Sequence, residues 1–166
     1  HARTVAGLFT LIVPSASMTS PAPSAACHSS PLQVSASDAA LLDWAPSATG
    51  GMVTSMVRSP DGSKLVVGGR FTALNGSNTP GYGMGALDAV TGIALPWAAN
   101  TLIRNGGNNA GLTAFSTDNE FVYGSSFVYG SGGNHEGVFK ARWSDGTIEW
   151  LEDCHGDTYG VHVQGD

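Results

Sequence analysis

The sequence has few charged residues and no cluster of basic ones. Lys and Arg together number 7 of 166 residues, against 13 Asp and Glu, which gives a formal net charge of −6. A nucleic-acid-binding protein needs a basic stripe to neutralise phosphates, and an anionic membrane surface attracts a polybasic segment. The composition therefore argues against both kinds of partner.

Long apolar runs and helix-rich composition are also missing. The apolar-leaning stretch Val5–Val13 is too short to span a bilayer, so we expect no transmembrane span. Charged residues make up 12% of the chain, far from the composition of a long-helix protein. Hydrophobic residues make up 42%, which is enough for a packed core and argues against disorder of the whole chain.

Cysteine is scarce, with only Cys27 and Cys154. An even number permits one disulfide bond in an oxidising compartment. The alternatives are that both thiols are free, or that Cys154 pairs with a residue outside this chain. The sequence alone leaves the choice open.

Glycine is abundant, with 23 residues, and Ser, Thr and Asn are common too. These residue types favour many short strands joined by tight turns. A low lysine content combined with this polar, glycine-rich composition is common in secreted bacterial proteins. We therefore expect an all-β, extracellular protein.

Three tryptophans mark an internal repeat. Trp44, Trp97 and Trp150 are separated by 53 residues in each case. The same order of features precedes the second and third: an Asp-containing turn, an apolar strand, a glycine-containing phrase that ends in Phe71 or Phe127, and a Gly turn. Regular self-similarity over about 50 residues is typical of solenoids and propellers.

One unit of this repeat predicts four short strands. Met52–Arg58 and Lys64–Val67 flank the turn Ser59–Gly62, where proline fixes φ and glycine accepts a positive φ. Gly83–Asp88 and Ile93–Leu95 form the second pair. Four antiparallel strands make one propeller blade, and a lone blade cannot bury both of its faces. The sequence thus predicts a β-propeller-like fold in which aromatic residues fill the contacts between blades.

The chain also resembles a family of actinobacterial secreted proteins with propeller-like repeats, often found next to PKD or laminin-G-like modules. The matching phrases are Ser-Pro-Asp-Gly, Val-x-Val-Gly-Gly-x-Phe-Thr, Asn-Gly, Ala-Leu-Asp-Ala-x-Thr-Gly and Leu-Pro-Trp, at Ser59–Gly62, Leu65–Thr72 (with Leu65 in place of the first Val), Asn75–Gly76, Ala86–Gly92 and Leu95–Trp97. The resemblance covers 37–166. It implies a secreted location and transfers no catalytic residue.

The pattern divides the chain into two parts. Residues 37–166 hold about two and a half blades, whereas 1–36 are poorly patterned and are interpreted as a divergent partial blade. A closed propeller needs at least about four blades. We therefore expect an incomplete propeller: a fragment of a longer chain that supplies further blades, or a subunit that completes the ring as a homo-oligomer.

Three small sets of residues are candidates for chemistry. His155, Asp157 and His162 could bind zinc or another transition metal, although a surface turn explains His-x-Asp equally simply. Glu136 and Glu149 could act as a carboxylate pair in glycoside hydrolysis. Tyr82, Tyr129 and Trp143 could form a sugar-binding platform, with burial in the core as the alternative for Trp143.

The sequence favours a noncatalytic extracellular binding or scaffold module whose partners are carbohydrate or cell-surface proteins. The alternatives are a secreted hydrolase acting on polysaccharide and a structural subunit of an extracellular assembly. We expect no cofactor; calcium at the Asp turns, or a transition metal at His155, is the alternative.

Overall fold

The computed structural model describes residues 9–14, 29–34 and 44–164. Within them the chain is all-β, as the sequence predicts, with a single helical turn, α1 (Ala99–Leu102). The strands are β1 (Phe9–Pro14), β2 (Ser29–Val34), β3 (Ala48–Thr49), β4 (Val53–Arg58), β5 (Lys64–Gly69), β6 (Ala73–Leu74), β7 (Met84–Asp88), β8 (Ala94–Leu95), β9 (Ala110–Thr117), β10 (Phe121–Val128), β11 (Gly137–Arg142) and β12 (Ile148–Asp153).

Two four-stranded antiparallel sheets form the body of the described structure. Sheet 1 has the order β4-β5-β7-β8 and sheet 2 the order β9-β10-β11-β12, so each runs up and down through neighbouring strands. Two smaller antiparallel pairs, β1-β2 and β3-β6, complete the set. The strands expected between Met52 and Leu95 are confirmed within two residues at each end. No closed ring of sheets forms among the residues described here.

Asp residues shape the hairpin turns. In the turn after β7, the Asp88 carboxylate accepts hydrogen bonds from the backbone N–H groups of Val90 and Thr91, and in the turn after β11 Asp145 accepts one from Thr147. Asp61 accepts from the Ser59 hydroxyl and from Ser63, which lowers the pKa of Asp61 to about 2. Turn formation thus occupies these carboxylates, as Asp in turns normally does.

Matching hydrogen bonds align the two sheets position by position. Ala89 N–H donates to Ser63 O in sheet 1, and Trp143 N–H donates to Glu120 O in sheet 2. In this alignment Phe71 corresponds to Val128, one residue beyond the Phe127 with which the sequence pattern matches it.

The core lies on both faces of sheet 1. One cluster joins Val66, Met84 and Ala86 of sheet 1 to residues of sheet 2 that include Leu112 and Phe139. The second cluster covers the opposite face of sheet 1 and is built from Trp44, Ala48, Val53, Leu65, Val67, Phe71, Leu74, Leu87 and Ala89. Burial on both faces explains why β5 has an almost continuous apolar sequence.

The first strand of each four-stranded sheet, β4 and β9, carries a β-bulge at a threonine. Pairing skips Thr54 in β4 and Thr113 in β9. The Thr54 hydroxyl donates to Leu112 O of β9 at 2.5 Å, and the Thr113 hydroxyl donates to Thr158 O at 2.6 Å. Each bulge therefore turns a hydroxyl toward the main chain of the next segment, which ties β9 to sheet 1 and the C-terminal segment to sheet 2.

Candidate functional site

An acidic cleft of about 200 Å³ opens at the end of sheet 2 where β10 finishes and β11 begins. Its lining residues are Val128, Gly133, Asn134, His135, Glu136, Asp153 and His155. The antiparallel pairing of Gly137 with Asp153 brings the start of β11 beside the end of β12, which collects residues distant in sequence.

Glu136 is the central carboxyl of this cleft. Its backbone N–H donates to Asp153 Oδ1 at 2.9 Å, which fixes the strand end. Desolvation, followed by a hydrogen bond to Asp157 and the negative charge of that residue, raises the pKa of Glu136. Asp157 is itself held by the Tyr159 hydroxyl, which donates to Asp157 Oδ2 at 2.7 Å. Glu136 and Asp157 thus form a pair of neighbouring carboxyl groups.

His135 lies beneath the cleft and is almost fully buried, with 2% exposure. Its Nδ1 lies 2.7 Å from the Ser126 hydroxyl, and that hydroxyl is also 2.8 Å from His135 O. Within 9–14, 29–34 and 44–164, no group forms a hydrogen bond with Nε2. Burial lowers the pKa of His135 despite the opposing charge of Asp153. The residues around His135 in the sequence form no pattern that predicts its burial.

The residues expected to bind a metal are exposed. His155 and Asp157 lie near Glu136, and His162 is further along the C-terminal segment. Among the residues that the structure describes, no group of three or more His, Cys, Asp or Glu side chains is arranged to hold a metal ion. A metal site at His155, Asp157 and His162 stays a prediction.

Glu149 lies away from the acidic cleft and forms an ion pair with Arg142. Glu136 precedes Gly137, which pairs with Asp153, whereas Glu149 follows Ile148, which pairs with Ala141. Gly137 and Ala141 are four residues apart along β11, which corresponds to about 13 Å along the backbone at the usual rise of a β-strand. This is a distance along the backbone, so a carboxylate pair of Glu136 and Glu149 at the roughly 5–10 Å of glycosidases stays a prediction, whereas Asp157 lies beside Glu136.

The three aromatic residues expected to form a platform occupy different environments. Trp143 is 7% exposed, belongs to the core between the sheets, and donates its indole N–H to Thr117 Oγ1 at 2.7 Å. The Tyr82 ring is half-buried, with the Arg104 guanidinium 5.0 Å from its centre. Tyr129 is 77% exposed.

A different set of aromatic residues shares one open face of sheet 2. Tyr123 pairs with Lys140, and Lys140 pairs with Trp150, so these three form a row across β10, β11 and β12. Lys140 Nζ lies 3.7 Å from the centre of the Phe121 ring, and Trp150 is 47% exposed. We call Phe121, Tyr123, Lys140, Arg142 and Trp150 the aromatic face. The sequence identifies Trp150 only as a repeat marker, and the residues around it, Ile148, Glu149 and Leu151, carry no pattern that predicts a surface position.

Cys154 is exposed, with Sγ 3.8 Å from Glu136 O, while Cys27 lies outside the described residues, so a disulfide between them stays a prediction. No described helix is long and apolar enough to cross a membrane. Comparison of the chain with protein-family models, with curated proteins and with solved structures found no match.

Proposed function

We propose that the protein is a noncatalytic extracellular binding module in which sheets 1 and 2 stack like propeller blades, and that polysaccharide, rather than a further blade, covers the aromatic face. The observation that supports this proposal most directly is the half-exposed Trp150, which lies at the end of the row formed with Tyr123 and Lys140. Trp and Tyr supply large, rigid contact areas that combine an apolar ring with a polar edge. The apolar face of a sugar ring suits such a surface.

The chemistry of this face differs from that of the matching face of sheet 1. At the aligned positions, Val66 pairs with Ala86 in sheet 1, and Tyr123 pairs with Lys140 in sheet 2. Val66 and Ala86 are fully buried against sheet 2. Stacking another apolar sheet on the aromatic face would bury the Lys140 ammonium, which is costly without a paired charge. A hydrated ligand with hydroxyl groups avoids that cost.

Polar groups surround the aromatic residues of this face. The Tyr123 hydroxyl donates to Asp118 Oδ2 at 2.9 Å, and Arg142 pairs with Glu149. Positive and negative charges therefore alternate around the face, which favours a neutral glycan over a strongly charged one.

A glycan array followed by titration calorimetry tests the proposal. We expect binding without turnover, and the variant Trp150→Ala should weaken the affinity for a neutral polysaccharide at least about tenfold, or 1.4 kcal/mol. Tyr129→Ala is the matched control, because Tyr129 is exposed but lies outside the aromatic face. Unchanged binding in Trp150→Ala would refute this location.

A secreted polysaccharide hydrolase is the second candidate, and the proximity of Glu136 to Asp157 favours it. A general acid needs a carboxyl that stays protonated toward neutral pH, and the raised pKa of Glu136 is in that direction. Release of reducing sugar that disappears in both Glu136→Gln and Asp157→Asn, with glycan binding retained, would establish the hydrolase. Binding with no turnover by the unmodified protein would favour the module.

A further inference from the structure

β12 is an outer strand of sheet 2 with an open edge. In the order β9-β10-β11-β12 it pairs with β11 on one side, and no strand that the structure describes pairs with its other side. Residues 149–153 are all exposed. Alternate residues of an antiparallel edge strand direct their N–H and C=O groups away from the sheet. The edge therefore presents main-chain groups with which a further strand can pair.

The matching edge of sheet 1 is much shorter. β8 consists of Ala94 and Leu95 only and is followed by Pro96, which has no N–H to donate. Short edge strands and proline are two means by which proteins prevent unwanted pairing, and lysine on the edge is a third. β12 is six residues long and contains neither proline nor lysine, with one bulge at Glu149. Its last four residues, 150–153, therefore form an uninterrupted open edge.

The second half of this edge is negatively charged. Arg142 forms an ion pair with Glu149. Glu152 and Asp153, in contrast, form no ion pair with a lysine or arginine among the residues described here. The acidic cleft adjoins Asp153 and adds further negative charge at this end of the strand. A strand that pairs with this edge therefore meets two carboxylates that nothing nearby neutralises.

A second copy of β12 is a poor partner for this edge. Antiparallel pairing of two β12 strands over their full length would place Glu149 of each strand opposite Glu152 of the other. Like charges directly opposite each other destabilise a pair of strands. The net charge of −6 adds repulsion between whole molecules. The edge thus favours a strand of the opposite charge.

We propose that the β12 edge binds an extended basic peptide, which adds to sheet 2 as a fifth, antiparallel strand. Main-chain hydrogen bonds supply affinity in this mode of recognition, and alternate side chains supply specificity. The peptide carries Lys or Arg opposite Glu152 and Asp153. It carries apolar residues opposite Trp150 and Leu151, which are 47% and 40% exposed. This inference does not depend on glycan binding, because it uses the main chain and the carboxylates of the edge rather than the aromatic face.

Titration of the whole protein with the synthetic peptide Lys-Arg-Val-Val-Thr-Val, followed by NMR, tests the inference. In antiparallel pairing the first two residues of the peptide lie opposite Asp153 and Glu152. We expect saturable shifts of the backbone amides of Leu151 and Glu152. The peptide Glu-Glu-Val-Val-Thr-Val should bind at least about tenfold more weakly, because it places like charges opposite each other. Absence of shifts at millimolar basic peptide would overturn the inference.

Two N-methylated versions of the basic peptide distinguish strand addition from simple charge attraction. One is methylated at its first, third and fifth residues, and the other at its second, fourth and sixth. An added strand uses the N–H groups of alternate residues, so one version should lose binding and the other should retain it. Equal affinity of the two versions would contradict strand addition, since a purely electrostatic contact does not discriminate between them.

Charge reversal on the protein tests the location. Glu152→Lys should weaken binding of the basic peptide about tenfold, because it replaces an attractive charge with a repulsive one. Glu120→Lys is the matched control, because Glu120 is exposed in the turn between β9 and β10, two strands away from β12. Equal affinity of the two variants would refute this location, and a dimer of the unmodified protein in analytical ultracentrifugation would assign the edge to a second copy instead. A neutral glycan carries no charge, so Glu152→Lys should retain glycan binding, which keeps failure of this inference distinguishable from failure of the proposed function.

Discussion

The indole N–H of Trp44 donates to the backbone carbonyl of Asp88, 44 residues further along the chain, at 3.2 Å. The bond joins the segment before sheet 1 to the turn that closes the β7–β8 hairpin. The aligned Trp97 packs over the aligned turn of sheet 2, but its N–H has no acceptor among the residues that the structure describes. The two tryptophans thus occupy similar places and differ in one hydrogen bond, which makes them a natural pair for measurement.

Replacing each tryptophan with phenylalanine should separate packing from hydrogen bonding. Both changes remove similar buried ring area, since both residues are 3% exposed. Only Trp44→Phe removes a hydrogen bond, whereas Trp97→Phe removes an unpaired buried donor. We expect Trp44→Phe to cost about 1 kcal/mol more unfolding free energy than Trp97→Phe, as measured by urea denaturation. Equal costs would mean that the Trp44–Asp88 bond contributes nothing.

Three glycines with positive φ form a graded series for alanine substitution. Gly130, Gly92 and Gly146 have φ of 81°, 72° and 78°, so the backbone strain from alanine is about 1–2 kcal/mol at each. A Cβ meets nothing within 4 Å at Gly130, ordinary contacts at Gly92, and the Trp97 ring at 2.6 Å at Gly146.

The loss of stability should therefore rise in the order Gly130→Ala, Gly92→Ala, Gly146→Ala. The last should exceed the first by about 1–3 kcal/mol, because the rigid indole must move. Thermal unfolding of the three variants checks the order. A Gly146→Ala protein as stable as Gly130→Ala would show that Trp97 does not pack against this turn.

Strand pattern and turns could be predicted from the sequence because their causes are local. Ser59–Gly62 and Thr91–Gly92 specify turns by residue type, and alternation specifies the strands between them. The environments of Trp97, Trp143 and Trp150 could not be predicted in this way. Trp97 and Trp150 end similar phrases, yet one is buried and the other half-exposed, because their exposure depends on which sheet covers them; for Trp143 the sequence left core burial and a surface platform open, and the structure buries it.

The acidic cleft shows the same difference between what local sequence specifies and what the tertiary structure decides. Glu136 and Asp157 were separate candidates, one catalytic and one for metal binding, and only the return of the C-terminal segment along sheet 2 brings them together. Glu149 matched Glu136 in residue type, but the β11–β12 register places it far along the strand. Sequence could name the residue types of the site; pairing register decides their neighbours.

The bulged threonines should hold neighbouring segments with little effect on their own sheets. Thr113→Val keeps the shape of the side chain but removes the hydroxyl that donates to Thr158 O. We expect a loss of about 1 kcal/mol for the docking of the C-terminal segment. Backbone amide exchange should accelerate at Thr158, whose N–H donates to Ser126 O, and at Val163, whose N–H donates to the Ser116 hydroxyl.

Thr54→Val is the matched control for this experiment. It removes the equivalent hydroxyl from β4 and the bond to Leu112 O, so it should lower global stability while leaving exchange at Thr158 and Val163 governed by the intact Thr113 bond. Faster exchange at Thr158 in both variants to the same extent would mean that the C-terminal segment is not held by Thr113.

Buried His135 should make stability depend on pH in the mildly acidic range. Burial lowers its pKa in the folded protein below the value of about 6.5 expected in the unfolded chain. Above about pH 6.5 the imidazole is neutral in both states and contributes no pH dependence. As the pH falls below 6.5, the unfolded chain binds the proton first, so stability decreases until the folded-state pKa is reached.

Urea denaturation between pH 7.5 and 5 measures this slope, and His135→Gln should reduce it even if that variant is less stable overall. His162→Gln removes an exposed histidine and should retain the slope. A slope unchanged in His135→Gln would assign the pH dependence to groups other than Glu136, because the raised pKa of that carboxyl favours the folded state as the pH falls.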